Sequence, residues 1–286
     1  MEYKTGFTVK PYEVTALGQV VFSDGTDTLI PNQLQCEAYG YTYDRVTGTC
    51  RSFRYTPSLP ASAQNINNRL NGAGNATQTG SNTIQMNGTG NTTRGLNNNC
   101  FINGSDNVLA NNINNATVNG SLGLALRQGE VVLGGGSDQE AIGRQAGLSQ
   151  SSKVQLNVRT SDATASDLQV QDITHAFIEL QRDSILGFEI YLTRLEVGGT
   201  SGTAGNFSYH VIKGAARNDH NGVITIYTYS TTLIASLGVQ ASTISIVDST
   251  TSTIPSITVR VADLANIINL WSATAYLHEL RTTSTF

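Results

Sequence analysis

Between residues 70 and 136, small apolar residues return at the same two places in every sixteen. The first place holds Ala76-Thr77, Thr92-Thr93, Val108-Leu109 and Leu124-Ala125; the second holds Ile84–Met86, Cys100–Ile102, Ala116–Val118 and Val132-Leu133. Polar residues fill the intervals, so each unit reads as strand, turn, strand, turn. Asn-Gly pairs recur at the same period, as Asn71-Gly72, Asn87-Gly88, Asn103-Gly104 and Asn119-Gly120. That dipeptide tolerates positive φ and turns the chain without strain. Register held over four units predicts a stacked β-roll or β-solenoid. The alternative, an Asn/Gly/Thr-rich low-complexity linker, accounts for the composition but not for the register.

Two more columns follow the period: Asn75, Asn91 and Asn107 at the fifth place of the unit, and Asn82, Asn98 and Asn114 at the twelfth. Stacked coils would superpose these amides into ladders, which satisfies side chains that are costly to bury alone. The fourth unit has Gly123 and Glu130 at those places, so its stacking is expected to differ. Coils so poor in large apolar side chains bury little area by themselves. Packing against further copies would supply the rest, and an oligomer is expected.

The flanks alternate differently. Phe7-Thr8-Val9, Gln19–Phe22 and Thr28–Ile30 predict short strands in a first region, residues 1–60, and Pro57, Pro60 and the polar run after them mark a linker over 61–69. Gly134–Gly136 ends the roll, and a connector over 137–152 includes a possible short helix at Gln139–Ala146. From 153 to 286, strand-like runs at Val154–Arg159, Ala176–Leu180, Ile185–Val197, Asn206–Ile212, Gly222–Tyr229, Ser242–Val247 and Ser256–Val261 predict an antiparallel β-sandwich. Ala262–Leu280 has helical spacing at Leu264, Ile267, Ile268 and Trp271 but is read as strand-turn-strand. The expected fold is all-β: an amino-terminal docking domain, a four-coil solenoid stalk over 70–136 and a carboxy-terminal sandwich.

Charge changes the picture by exclusion. At 286 residues, 13% charged and net −4, the chain has no basic stripe for nucleic acid and no polybasic membrane anchor. Its amino terminus lacks a signal-peptide pattern and no apolar run suits a bilayer, so neither general secretion nor membrane insertion is expected. Three cysteines do not make a disulfide framework; Cys36 and Cys50 are read as free thiols, with pairing across their loop as the alternative, and Cys100 as a core residue. Tyr39, Tyr41 and Tyr43 with Arg45, Arg51 and Arg54 make either a docking surface or the cover of a small core.

Catalytic chemistry is thinly supplied. Glycoside hydrolysis uses two carboxylates flanking the scissile bond, and the roll offers only Asp106 before Glu130. Glu179, Asp183, Glu189 and Glu196 are scattered along strands. His175, His210, His220 and His278 lack metal-ligand spacing, although a three-fold axis would bring one from each chain to an ion. No Ser/His/Asp set stands out, and Gly134–Gly136 lacks the Lys-Ser/Thr of a phosphate loop. Trp271 is either a sugar platform or core, and Leu270, Ala273 and Leu277 beside it favour core. No enzyme, metal or cofactor is expected.

Gly129–Gly136, Gly143–Ala146, Ser149–Asn157 and Thr160–Thr164 resemble a module of tailed-phage fibre and appendage proteins. Ile185–Leu195, Tyr209–Arg217 and Ile257–Leu280, with Trp271-Ser272-Ala273, resemble the β-domain of that module, so the resemblance covers about half of the chain. The roll is also similar to the heads of trimeric autotransporter adhesins, from which this chain is expected to depart, since neither a signal-peptide pattern nor an anchor barrel is read in these 286 residues. The resemblance implies a carboxy-terminal trimerising or distal domain of a virion fibre, and with the thin supply of catalytic groups the expected protein is a homotrimeric, non-enzymatic tail or head fibre of a bacteriophage virion, assembled in the host cytoplasm. Its amino-terminal region would dock on other virion proteins. Loops carrying Gly199 and Ser201, and Asp219, His220 and Asn221, would touch a host glycan or protein. The alternatives are a purely structural head decoration and a polysaccharide depolymerase.

Overall fold

A computed structural model describes residues 9–15, 18–44, 47–52, 65, 67–136, 145–171, 173–174, 176–227, 229–238, 242–249 and 254–282. The chain separates into two units, Met1–Gln64 and Asn65–Phe286.

In the first unit, β1 (Lys10–Val14), β2 (Val20–Ser23) and β3 (Thr28–Leu29) form an antiparallel sheet. Helix α1 (Gln33–Ala38) starts where Asn32 caps it: Asn32 Oδ1 accepts from the Gln35 amide and Gln35 Oε1 accepts from the Asn32 amide, a capping box. A hairpin of β4 (Thr42–Asp44) and β5 (Thr49–Arg51) follows. Val20, Phe22, Cys36 and Cys50 are fully buried between these elements. Cys36 and Cys50 form a disulfide, which corrects the expectation of free thiols. The helix and the hairpin carry the two sulfurs into one core, too small to be secure without a covalent tie.

The second unit begins with the solenoid. Its strands are β6 (Arg69–Asn71), β7 (Asn82–Thr89), β8 (Thr92–Thr93), β9 (Asn98–Ser105), β10 (Val108–Leu109), β11 (Thr117–Ser121), β12 (Leu124–Ala125) and β13 (Val131–Gly135). β6, β7, β9, β11 and β13 pair in parallel as one wall, each residue against its counterpart a coil later; β8, β10 and β12 pair in parallel as a second. Ile84, Met86, Cys100, Ile102, Leu109 and Val118 fill the space inside.

The Asn-Gly pairs lie within or at the end of the long strands, not in tight turns, and this corrects the turn assignment. Gly72, Gly88, Gly104 and Gly120 have φ of +103°, +116°, +128° and +103°, and a Cβ on Gly72, Gly88 or Gly104 would overlap the carbonyl oxygen of the corresponding glycine one coil on. Glycine is required there for the approach of coil to coil as much as for φ. Other left-handed columns run through Thr83, Asn99 and Asn115, at or just before the start of the long strands, and through Gly74, Gly90, Asp106 and Leu122, which follow the long strands.

The fifth-place asparagines form a ladder. Asn91 Nδ2 donates to Asn75 Oδ1 and Asn107 Nδ2 to Asn91 Oδ1, each at 3.0 Å, while the same amides donate to the carbonyls of Gly104 and Gly120. The Gly123 amide ends the series on Asn107 Oδ1 at 2.8 Å. Asn71 Nδ2 likewise donates to Asn87 Oδ1 at 2.8 Å. At the twelfth place, Asn82, Asn98 and Asn114 pair through their backbones, and the buried amide is Asn97, which donates to the Ala110 carbonyl. The last coil is two residues shorter than the others, since Thr117 faces Val131 where it also faces Phe101.

The remaining strands are β14 (Ser149–Thr160), β15 (Ser166–Asp167), β16 (Gln169–Val170), β17 (Ile178–Glu179), β18 (Ser184–Gly198), β19 (Phe207–Asn218), β20 (Ile224–Ile226), β21 (Ser230–Leu237), β22 (Thr243–Asp248), β23 (Ser256–Ala262) and β24 (Ile268–Arg281). β14 pairs antiparallel with β13, so the first wall of the solenoid runs on into the next sheet. The result is one twelve-stranded sheet in the order β20-β19-β18-β24-β14-β13-β11-β9-β7-β6, with β16 on β14 and β21 on β19. A four-stranded sheet of β15, β17, β22 and β23 covers one side of its antiparallel part. Leu156, Phe188, Ile190, Leu192, Val259 and Trp271 pack between the two sheets, and Trp271 Nε1 donates to Thr160 Oγ1 at 3.1 Å. Roll and sandwich are therefore one body, and β14 starts within the stretch read as a connector. The expected helix at 139–146 lies mostly outside the described residues. Strand β21 has no counterpart in the sequence reading, because Ser-Thr-Thr-Leu-Ile-Ala-Ser-Leu does not alternate.

Gly104→Ala is expected to destabilise the second unit by about 3 kcal/mol or more, combining a disfavoured φ with an overlap of backbone on backbone. Gly205→Ala, at φ +95° with open space around it, is the control and should cost only about 1–2 kcal/mol. Denaturant unfolding of both variants measures the difference.

Candidate functional site

Strand pairing sets one open side of the long sheet into rows. Along the solenoid, Arg69, Gln85, Phe101 and Thr117 are consecutive partners in one such row. Beside it run the left-handed Asn67, Thr83 and Asn99. These residues line a groove of about 400 Å³. Its guanidinium and amides offer planar donors and acceptors, and Phe101 offers an apolar ring, while none of its lining residues is acidic. Such a groove suits a ligand rich in hydroxyl groups with apolar C–H faces. The period pointed to these strands, but the groove was not legible, because Arg69, Gln85 and Phe101 share no residue type and meet only through register.

The expected docking residues divide. Tyr39 donates to the Val9 carbonyl at 2.8 Å and sets its ring edge-on to Phe22, as does Tyr41; Tyr43 also packs on this core. These tyrosines cover a small core. Arg51 reaches Asp44 at 3.7 Å, and Arg45 and Arg54 lie outside the described residues.

The expected receptor loops are not brought together. Gly199 and Ser201 lie between β18 and β19, tied to the 266 turn by a bond from the Ser201 amide to the Asn266 carbonyl. Asp219, His220 and Asn221 lie at the far end of β19, where His220 Nδ1 is 3.1 Å from Asp183 Oδ2. A twelve-residue strand separates the loops, on the order of 40 Å, so they cannot form a single site. His210 sits on β19 with its pKa lowered by burial and by the charge of Arg194. His278 is exposed on β24, and His175 lies outside the described residues. Among the described residues no group of three His, Cys, Asp or Glu side chains is placed to hold a metal ion.

One ionic cluster is deeply buried where solenoid meets sandwich. Arg127 pairs with Glu130 and, at 2.6 Å, with Glu279, and donates to the Glu179 carbonyl. Gln150 joins Glu279 at 2.7 Å and exchanges hydrogen bonds with the backbone of Leu124. Burial lowers the pKa of Arg127, but the charges of Glu130 and Glu279 more than reverse this. Glu179 is pushed above the ordinary glutamate range by burial, against the pull of Arg127. Arg127, Glu130, Gln150 and Glu279 each face a partner inside the protein, so the cluster reads as a lock of the β12–β13 turn onto β14 and β24 and not as an open catalytic pair.

The chain is similar to phage tailspike proteins. One is the tailspike of Acinetobacter baumannii phage AM24, at 7% identity and a TM-score of 0.29, over 75% of this chain and 51% of that one. Another is the tailspike gp49 of Acinetobacter baumannii bacteriophage Fri1, described as a capsular polysaccharide depolymerase, at 9% identity and a TM-score of 0.23, over 77% and 49%. The chain thus spans about half the length of these tailspikes. No family model and no curated protein matches it. The depolymerase described among these structures overturns the expectation of a non-enzymatic chain, which is withdrawn.

Arg127→Met should cost about 3–5 kcal/mol, since Glu130 and Glu279 would be left buried without a cation. Glu179 makes the opposite kind of contribution. Its raised pKa means that the folded protein keeps this proton longer than the unfolded chain does, so stability is full below the ordinary value of 4.5 and falls as pH rises through the folded value. Glu179→Gln should remove that part of the fall, seen as a flatter unfolding free energy as pH rises above the ordinary value of 4.5.

Proposed function

We propose that this chain is a homotrimeric host-attachment protein of a bacteriophage tail, and that its solenoid flank engages a surface glycan. The observation that carries the reading is the groove with Arg69, Gln85, Asn99 and Phe101 on its walls. Parallel strands in unbroken register hold these side chains rigidly, so little ordering entropy is lost on binding. Three copies would turn a weak contact into useful avidity. The disulfide-linked first unit belongs on the particle side, and antibody labelling of particles tests both its polarity and tail against head placement.

Retention of host capsular polysaccharide or lipopolysaccharide on the immobilised protein is the direct test. Phe101→Ala and Arg69→Ala should each weaken retention roughly tenfold, equivalent to about 1.4 kcal/mol. Unchanged retention in both variants would remove the groove from the proposal. Reducing ends counted in the same assay show whether the polysaccharide is cut, the activity named for the Fri1 tailspike.

A further inference from the structure

Two neighbouring strands of the antiparallel part, β18 and β24, carry apolar side chains on both sides, whereas β14 beside them turns Ser149, Ser151, Lys153, Gln155, Asn157 and Arg159 to the open side. β18 sends Leu186, Phe188, Ile190 and Leu192 into the core and Ile185, Tyr191, Leu195 and Val197 the other way. β24 does the same, with Trp271, Ala273, Ala275 and Leu277 inward and Leu270, Tyr276 and Leu280 outward. An antiparallel sheet leaves one face to water when that face is polar; apolar side chains there call for cover, and the four-stranded sheet covers only the other side.

On the open side, Leu270, Leu195, Phe207 and Leu237 are successive partners across four strands and remain 45%, 43%, 36% and 57% exposed. Next to this row, Tyr191 lies 5.8 Å from Tyr276 edge-on and 6.3 Å from Tyr209 stacked. Exposed Ile185 and Leu280 are paired with each other and extend the face along β18 and β24; beyond Leu280, β14 sets Ser149 and Ser151 before Leu133 of β13.

We infer that this open side is where the chain packs on two further copies of itself, an assignment that rests on the trimer proposed above. Area favours that occupant. The exposed apolar and tyrosine side chains amount to roughly 800 Å² on each chain, roughly 400 Å² toward each of two neighbours and so roughly 2,400 Å² over the trimer as a whole. Charge permits an identical partner on β18, β19 and β24: Glu189 is held by Lys213 at 3.0 Å and by Tyr191, Lys153 lies over the Tyr276 ring, and the exposed Arg159, opposite Leu270 on β14, stands at the border of the face. Timing also selects it, because an apolar face this large needs cover as soon as the chain folds, when other copies are at hand and a host surface is not. The apolar cover ends at β24, since β14 presents Ser151, Lys153 and Gln155 on this side, so the polar groove stays open beyond the interface.

Mass photometry of the full chain should give a trimer, and the double variant Leu195→Asp/Leu270→Asp a monomer with unchanged far-UV circular dichroism. Leu264→Asp, exposed in the connection between β23 and β24 and outside the paired rows of this face, should remain a trimer. A second measurement avoids added charge: Leu195→Cys in the assembled protein should react with a polar thiol reagent roughly tenfold or more slowly than Leu264→Cys. A monomeric wild type would overturn the trimer itself. A trimeric wild type whose double variant stays trimeric, or equal labelling at 195 and 264, would overturn this interface and leave the trimer standing.

Discussion

Each coil of the solenoid must lie one strand spacing, about 4.8 Å, from the next, and the second unit depends on that distance being met at every position. It is met where the backbones nearly touch because glycine stands at 72, 88, 104 and 120. The interior tolerates asparagine because Asn75, Asn91 and Asn107 bond to one another and to glycine carbonyls of neighbouring coils. A residue type that would be a liability in an ordinary core is here satisfied by its own repetition.

The same hydrogen-bonding edge that stacks the coils also ends them. A parallel wall exposes an unpaired strand at its last coil, a template for unwanted association. β14 occupies that edge antiparallel, and the Arg127 cluster fastens the turn of the shortened coil to β14 and β24. The Gly123 amide, closing the asparagine ladder, belongs to the same coil. The lock and the loss of the repeat pattern thus have one cause: the final coil is shaped to receive an antiparallel neighbour. Rigid coupling of solenoid to sandwich follows, which makes a fixed relation between groove and apolar face physically reasonable.

Small side chains at fixed columns were enough to place both walls of the roll, since stacking repeats one environment and so repeats one residue type. Alternation was enough for β18, β23 and β24. It failed for β21, which is exposed on both sides and has no core to impose a period, and it misread the Asn-Gly pairs, whose role depends on the coil next to them. Cys36 and Cys50 gave no pairing signal from spacing alone; a capped helix and a hairpin bring them together. The tyrosines near them are enriched alike in interfaces and in small cores, and only their contacts with Phe22 and Val9 decide the role.

The sequence by itself determined an all-β chain with a sixteen-residue solenoid, because hydrophobic period and glycine tolerance are local properties. Tertiary structure alone decided that solenoid and sandwich share one sheet, that the two candidate loops stand at opposite ends of β19, and that unlike residues such as Arg69, Gln85 and Phe101 line one groove. These are facts of strand register across the sheet. Register joins residues far apart in the chain, and no local pattern records it.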